Sequence, residues 1–389
     1  MSDAFFERLF GDSEPRHVGT GWISGTASVF FSLLGFGGAL CLHFPQLLTL
    51  PDARPVYPIA IIRLLIQGVI VLGIVLGAIS GFLRERKVLA ITGVSLGLLA
   101  AIIGGGSTPL PDEVQSKFGI GLDWFLLDLL VMTIVFSPLE RFWPLHPDQR
   151  TFRPQWSTDA FYFVATHLPA QVITMAMVVP AAYASRWLAI PGLVQTVGSL
   201  PFLIQLPLAI VVADLSQYLI HRAFHRIPFL WRFHAIHHSI ETMDWVAGSR
   251  SHYVDILITR GLIMIPMTLF GFSQATMAGY LVFVSFHATF CHTDFRPRVI
   301  WIEPYFVTVR YHHWHHAAQP EAVDVNFAIH LPFIDQLFGT YYLPKDDWPK
   351  RYGLVGGSVP RMNSVLTYVS EPGHKLSPMA QQMYYGRTA

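Results

Sequence analysis

Long apolar runs separated by short polar loops dominate the first half of the chain. A helix needs about 20 apolar residues to cross the hydrocarbon core of a bilayer. Gly19 to Pro51 contains no Asp, Glu, Lys or Arg, and neither do Leu64 to Leu83 or Val88 to Gly106. Phe118 to Leu139 is apolar but carries Asp123 and Asp128. Ala160 to Ser185 and Trp187 to Ala213 are again charge-free, and a helix in the second is expected to run on towards His221. Val254 to Thr293 is about twice the length of one span. Its midpoint is interrupted by Gly271-Phe272-Ser273-Gln274, and its only charges, Asp255 and Arg260, stand near its start. This predicts two short antiparallel helices with a turn on the far side. The pattern as a whole predicts an all-α, multi-pass membrane protein with about eight apolar helices, the last two a short hairpin.

Composition agrees. Hydrophobic residues make up 52% of the 389 and charged residues 13%, against roughly 25% charged in ordinary soluble domains. Mean hydropathy is +0.43. The net charge of +1 offers no basic excess for a nucleic acid. Two cysteines, Cys41 and Cys291, exclude a disulfide framework and a Cys-rich zinc module. Asp3, Glu7 and Arg8 precede an apolar stretch too long for a signal peptide, which reads as a retained anchor.

Basic residues in short loops set orientation. Arg84, Arg86 and Lys87, then Arg141, Arg150 and Arg153, then Arg222, Arg226 and Arg232 follow alternate spans, while an intervening loop carries Asp112 and Glu113. Both termini and the region after His221 are therefore expected on the cytoplasmic side. The division expected is a membrane scaffold over 1–156, a catalytic domain over 157–344 and a polar tail over 345–389.

Histidine changes the picture. Twelve of the 18 histidines fall between His221 and His316, where even scattering would put roughly four. His221 and His225 form H-x-x-x-H; His234, His237 and His238 form H-x-x-H-H, repeated by His312, His315 and His316. Residues three and four apart share a helix face, and imidazole suits Fe, Zn, Cu and Ni. Eight imidazoles exceed the needs of one ion, so two metal ions are expected. Gathering all three clusters on one side requires an even number of crossings between His252 and His312, which favours the hairpin. His287 and His292, five apart, fit one helical face poorly, and His292 is the better candidate. His252 reads equally well as a ligand or as a bystander. His313 projects roughly 100° from His312 on a helix and is not expected to ligate. Asp214, seven residues before His221 in an apolar helix, is expected to hold an imidazole. His17, His43, His146, His167, His330 and His374 are isolated and carry no assignment.

These residues resemble the fatty acid hydroxylase/sterol desaturase superfamily of integral-membrane di-iron enzymes. The resemblance runs from about Asp214 to Pro344. It includes His221-Arg222-Ala223-Phe224-His225, Leu230-Trp231-Arg232-Phe233-His234-Ala235-Ile236-His237-His238-Ser239, Arg250-Ser251-His252 and His292-Thr293-Asp294. It closes with His312-His313-Trp314-His315-His316, Asn326-Phe327 and Asp335-Gln336-Leu337-Phe338-Gly339-Thr340-Tyr341. Asp294 stands where the family often has Asn. The resemblance implies two irons, O₂ as cosubstrate and oxidation of an unactivated C–H bond in a lipid, by hydroxylation or desaturation. It implies His221, His225, His234, His237, His238, His287, His292, His312, His315 and His316 as metal ligands, with Asp214, Asn326 and Asp335 supporting them. Arg250 is expected either to anchor a polar or anionic group or to form a structural salt bridge. No flavin or haem motif and no fused cytochrome b5-like domain is present, so electrons are expected from a separate cytochrome b5- or ferredoxin-like protein. The membrane is expected to be the bacterial inner membrane or the endoplasmic reticulum.

Three rival readings carry distinct signatures. A membrane zinc hydrolase would want a Glu base, as in H-E-x-x-H, which these clusters lack. A haem-binding electron carrier would place axial histidines inside paired spans. A metal transporter would line a path with histidines, and the first four spans offer His43 alone.

Overall fold

The computed structural model describes residues 19–51, 53–110 and 118–354. The expectations for Asp3, Glu7, Arg8, Asp112, Glu113, His17, His374 and the tail from 355 onwards lie outside the described residues. Among the described residues the protein is helical, with no strands beyond two isolated bridges. Among the described residues, five helices are long and apolar enough to cross a membrane. The chain forms two compact units, one from residues up to Ile134 together with 167–172, the other from the rest.

The first unit is built on α1 (Trp22–His43), α2 (Ile59–Leu83), α3 (Val88–Ile102) and the first part of α4 (Leu122–Phe142). Between lipid-soluble helices there is little hydrophobic drive, so close packing falls to small residues. Here Ser28 does that work. Its hydroxyl donates to the Gly73 carbonyl at 2.6 Å, and a Cβ on Gly93 would lie 2.0 Å from its Oγ. The outer face is apolar: Phe82 is 89% exposed and Leu64 72%. Such a surface needs lipid rather than water against it.

The second unit carries the histidines. The stretch Ala160 to Ser185, expected as one span, is divided into α5 (Trp156–His167) and α6 (Ala170–Leu188). The break falls at Leu168-Pro169, because proline disfavours helix in the residue before it. The next expected span, Trp187 to Ala213, is likewise divided: α7 (Pro191–Gly198) is separated by Pro201 from α8 (Phe202–Arg226). The expected continuation past His221 is observed. α9 (Pro228–His238) starts at Pro228, two residues after α8 ends. The predicted hairpin is present as α10 (Tyr253–Leu269) and α11 (Gln274–His292). Gly271 turns between them with φ of 75°, and the Ser273 side chain caps α11 by accepting from Thr276 N. At 17 and 19 residues, both fall just short of the roughly 20 a full crossing needs. Two short helices, α12 (Val309–His315) and α13 (Phe333–Phe338), complete the unit.

Candidate metal centre

The last turns of α8, the last turns of α9, the end of α11 and most of α12 converge, and each brings histidines. They form two groups. In the first, His221, His225, His234, His238 and His315 each offer a ring nitrogen within 4.8 Å of the others, all buried. In the second, His237, His292, His312 and His316 lie equally close, with His237 half-buried and the other three buried. The groups are neighbours: the His238 ring lies 4.6 Å from both the His315 and His316 rings. Three- and four-residue spacing on α8, α9 and α12 aims the rings one way.

Hydrogen bonds at the outer nitrogens fix which nitrogen faces inwards. His221 Nδ1 donates to the Phe327 carbonyl at 2.8 Å. His234 Nδ1 donates to Asp255 Oδ2 at 2.7 Å, and His315 Nδ1 to the Val325 carbonyl at 2.8 Å. In the second group His237 Nδ1 donates to the Arg250 carbonyl at 3.1 Å and His292 Nδ1 to the Ala288 carbonyl at 2.7 Å. A neutral ring that donates from Nδ1 has only a lone pair at Nε2.

The inner nitrogens of these five rings therefore present lone pairs. Nε2 of His221 and His234 are 3.0 Å apart, and those of His237 and His292 3.4 Å apart. His312 Nε2 lies 3.1 Å from both His292 Nε2 and His316 Nε2. Nε2 of His238 and of His315 are buried without a hydrogen-bond partner. Such clustering is repulsive unless a cation is shared. Metal–nitrogen bonds of about 2.1 Å put neighbouring ligand nitrogens about 3.0–3.4 Å apart, the spacing found here. Burial first, then the neighbouring imidazoles, holds His238, His312 and His316 well below the ordinary histidine range. The neutral form is the one a metal binds. The residues present fit two metal ions.

Nine of the ten histidines expected as ligands stand in these groups. His287 does not. Its Nε2 donates to the Val307 carbonyl at 2.9 Å, and its Nδ1 pairs with His330 Nδ1 at 2.9 Å. Five residues on a helix span about 500°, which turns His287 away from His292. His252 is in neither group; its Nδ1 caps α10 by accepting from Val254 N. His313 bonds Tyr352 and the Thr293 carbonyl instead.

The supporting residues act differently from expectation. Asp214 touches no imidazole. Its carboxylate accepts backbone N–H groups from Ile329, His330 and Leu331 at 2.7–3.2 Å. The seven-residue spacing does place it on the histidine face, but its oxygens are taken by the 329–331 backbone. Asp335 accepts from Phe327 N and Ala328 N, Tyr311 Oη and Thr340 Oγ1. Asn326, with φ of 60°, donates to the Tyr311 and Tyr342 carbonyls. These three thus hold the 325–331 loop, whose carbonyls at Val325 and Phe327 orient His315 and His221. Arg250 is 1% exposed and ion-paired with Asp159 at 2.5 Å. The salt bridge of the second reading is thus present, and the Arg250 carbonyl orients His237. Asp255 and Asp324, which lies 3.4 Å from His225, escaped the sequence reading. A lone acid inside an apolar helix was the signal for Asp255. Asp294 accepts from His146 Nδ1 at 2.6 Å.

Residues 206–340 match the fatty acid hydroxylase family model. The chain is 28% identical over 193 residues to an ornithine lipid hydroxylase of Rhizobium tropici, covering 50% of this chain and 56% of that protein. It is 27% identical over 143 residues to an alkylglycerol monooxygenase of Caenorhabditis elegans, covering 36% of this chain and 28% of that protein. The human alkylglycerol monooxygenase is 27% identical over 133 residues, 34% of this chain and 29% of that protein. The chain thus spans little more than half the length of the first relative and under a third of the others. No solved structure matches. With its long apolar helices and two histidine groups, the chain is an integral membrane protein whose residues 206–340 are similar to the fatty acid hydroxylase family.

Proposed function

We propose that this protein is a di-iron lipid hydroxylase: RH + O₂ + 2e⁻ + 2H⁺ gives ROH + H₂O, with the electrons supplied by a separate carrier protein. The observation that carries this reading is the pair of adjacent, all-imidazole groups whose inner lone pairs converge. Two irons held there supply the activation of O₂ that breaks an unactivated C–H bond. The proposed ligands are His221, His225, His234, His238 and His315 for one ion, and His237, His292, His312 and His316 for the other. An all-nitrogen, neutral shell separates this site from the Glu-rich shell of soluble di-iron bundles.

What the chain itself does is hold and exclude. Carbonyls and carboxylates behind His221, His234, His237, His292 and His315 fix their tautomers, so the inner lone pairs of these five rings face the metals. Burial keeps the histidines neutral and water away from the reacting centre. His221 and His225 end a membrane-length helix, which supports a lipid substrate entering sideways from the bilayer. The activities for which the relatives are named, on an ornithine lipid and on alkylglycerols, point to a long-chain amphiphile. Exposed Arg226 and Arg232 beside the histidines support a cytoplasmic position for the site. We take 157–344 as the catalytic domain, 1–156 as its membrane scaffold and 345–389 as a tail.

Metal analysis of the full-length protein, purified in detergent after growth with iron and no added zinc, tests this. About two irons per chain, with clear loss in His237→Ala, is the expected outcome. A single zinc indifferent to iron supply would overturn the oxygenase reading and promote the zinc hydrolase. Two zincs would move the decision to O₂ uptake after iron reconstitution, because zinc displaces iron at nitrogen sites.

A further inference from the structure

The first unit contains a cavity of about 460 Å³ between α1, α2 and α4, far along the chain from the histidines and outside residues 206–340. Its size lies in the range of small-molecule sites, about 300–1,000 Å³. Most of its wall is apolar and comes from side chains such as Ile62, Leu65, Val69, Leu127 and Leu130. One end is polar, lined by Thr49, Arg54, Tyr57 and Asp123.

That polar end has a definite hydrogen-bonding character. Asp123 is the second residue of α4, in its first turn, and its side chain lines the cavity. Among described hydrogen bonds, both of its oxygens accept the same backbone N–H, that of Leu50, at 3.0 and 3.2 Å. A carboxylate has about four acceptor positions, so capacity is left over. The Tyr57 hydroxyl is buried beside this carboxylate, near enough to donate to it but outside good hydrogen-bond geometry, so a hydroxyl can insert between the two. Arg54 is engaged elsewhere: Nε donates to Thr49 Oγ1 at 2.7 Å, and Nη2 to the Pro45 and Thr49 carbonyls at 2.9 and 3.0 Å. The polar end thus offers an acceptor, Asp123, next to a group able to donate, Tyr57.

We propose that this cavity binds an amphiphile headed by an uncharged hydroxyl. An alcohol donates its proton to Asp123 and accepts from Tyr57, while its apolar body fills the space between α2 and α4. A fatty acid of the same length would set its own negative charge against Asp123. An alkylammonium would satisfy Asp123 but has no lone pair for Tyr57. The site is independent of the proposed metal chemistry, since none of its residues belongs to either histidine group.

The test uses the full-length protein in phosphatidylcholine nanodiscs with three photoreactive probes of equal chain length: a diazirine-bearing alcohol, carboxylic acid and amine. Cross-linked residues are located by mass spectrometry. The expected result is saturable labelling by the alcohol on the cavity-facing parts of α2 and α4, competed by unlabelled alcohol and well above that of the acid. Leu127→Trp, which fills the cavity, should cut that labelling by about tenfold, the loss of roughly 1.4 kcal/mol of binding. Asp123→Asn, nearly isosteric and still able to accept from Leu50, should erase the preference for alcohol over acid. Equal labelling by all three probes, or labelling that rises without saturating, would mean ordinary lipid contact only and overturn the proposal. Preference for the amine would overturn the assigned head group. If Leu127→Trp fails to fold, the Asp123→Asn selectivity decides alone. Metal content should match the parent in both variants, because the histidine groups are untouched.

Discussion

In the histidine group built on His221, His225, His234, His238 and His315, two rings rest near carboxylates: His234 on Asp255 at 2.7 Å and His225 beside Asp324 at 3.4 Å. In the group built on His237, His292, His312 and His316, the outer partners of His237 and His292 are backbone carbonyls. The two groups share ligand chemistry but not what stands behind the rings. A carboxylate behind an imidazole raises its basicity and strengthens its bond to a metal more than a neutral carbonyl does. The larger group also has one more nitrogen to offer. The comparison teaches that two ions in one centre would be held unequally: the five-histidine position firmly, the four-histidine position more loosely.

Removing a ring from each group in turn breaks the comparison most severely. His225→Ala and His312→Ala should each lower metal content by about one ion per chain, and the ion remaining should differ between them. In a competition with chelator, the ion left by His312→Ala should resist removal longer than the ion left by His225→Ala. Equal loss of both ions in both variants would show that the groups bind as one unit, with no independent positions to compare.

Asp255→Asn sharpens it with a smaller change. The amide keeps a hydrogen bond to His234 Nδ1 but loses the charge. Mutation of such outer partners typically costs about 10–100-fold in metal affinity. Chelator titration should therefore show the firmer ion weakened by that factor and the looser ion unchanged. If both ions weaken alike, the carboxylate is not what separates the two groups.

The ring positions were legible in the sequence because they obey helix spacing. H-x-x-x-H and two H-x-x-H-H motifs aim rings along one face, and nine of the ten proposed histidines meet. The hairpin was legible for a similar reason: Gly271-Phe272-Ser273-Gln274 breaks an apolar stretch too long for one span. What lay behind the rings was not legible. The Phe327, Val325, Arg250 and Ala288 carbonyls are backbone atoms, present at every residue and silent in a sequence. Asp214 was misread for the same reason, since its partners are three backbone N–H groups of the 329–331 loop. Its charge inside an apolar helix announced that it was paired, but not with what. Helix ends at Leu168-Pro169 and Pro201 were visible as prolines and were overridden by the absence of charge around them, which reports on solvent and not on backbone continuity.

His287 offers the smallest expected effect and the cleanest check on the boundary of the centre. It lies on α11 one turn and a fraction before His292, in the same buried region, and resembles a ligand in everything but geometry. Both its nitrogens are engaged. Nε2 donates to the Val307 carbonyl, so in the neutral ring Nδ1 has a lone pair, which His330 Nδ1–H satisfies at 2.9 Å. A ring so occupied has no lone pair left for a metal. It ties α11 to the segment that precedes α12, and through His330 to the loop gripped by Asp214. His287→Gln keeps an N–H able to reach Val307 and a carbonyl able to accept from His330. Its expected cost is therefore in packing, about 1 kcal/mol of stability, read as a small drop in melting temperature. Metal content should stay at the parent's value, and so should the order in which chelator removes the two ions. Loss of an ion in His287→Gln, with the fold intact, would return His287 to the ligand set and give the looser group a fifth nitrogen, removing the difference in ligand number on which the comparison partly rests.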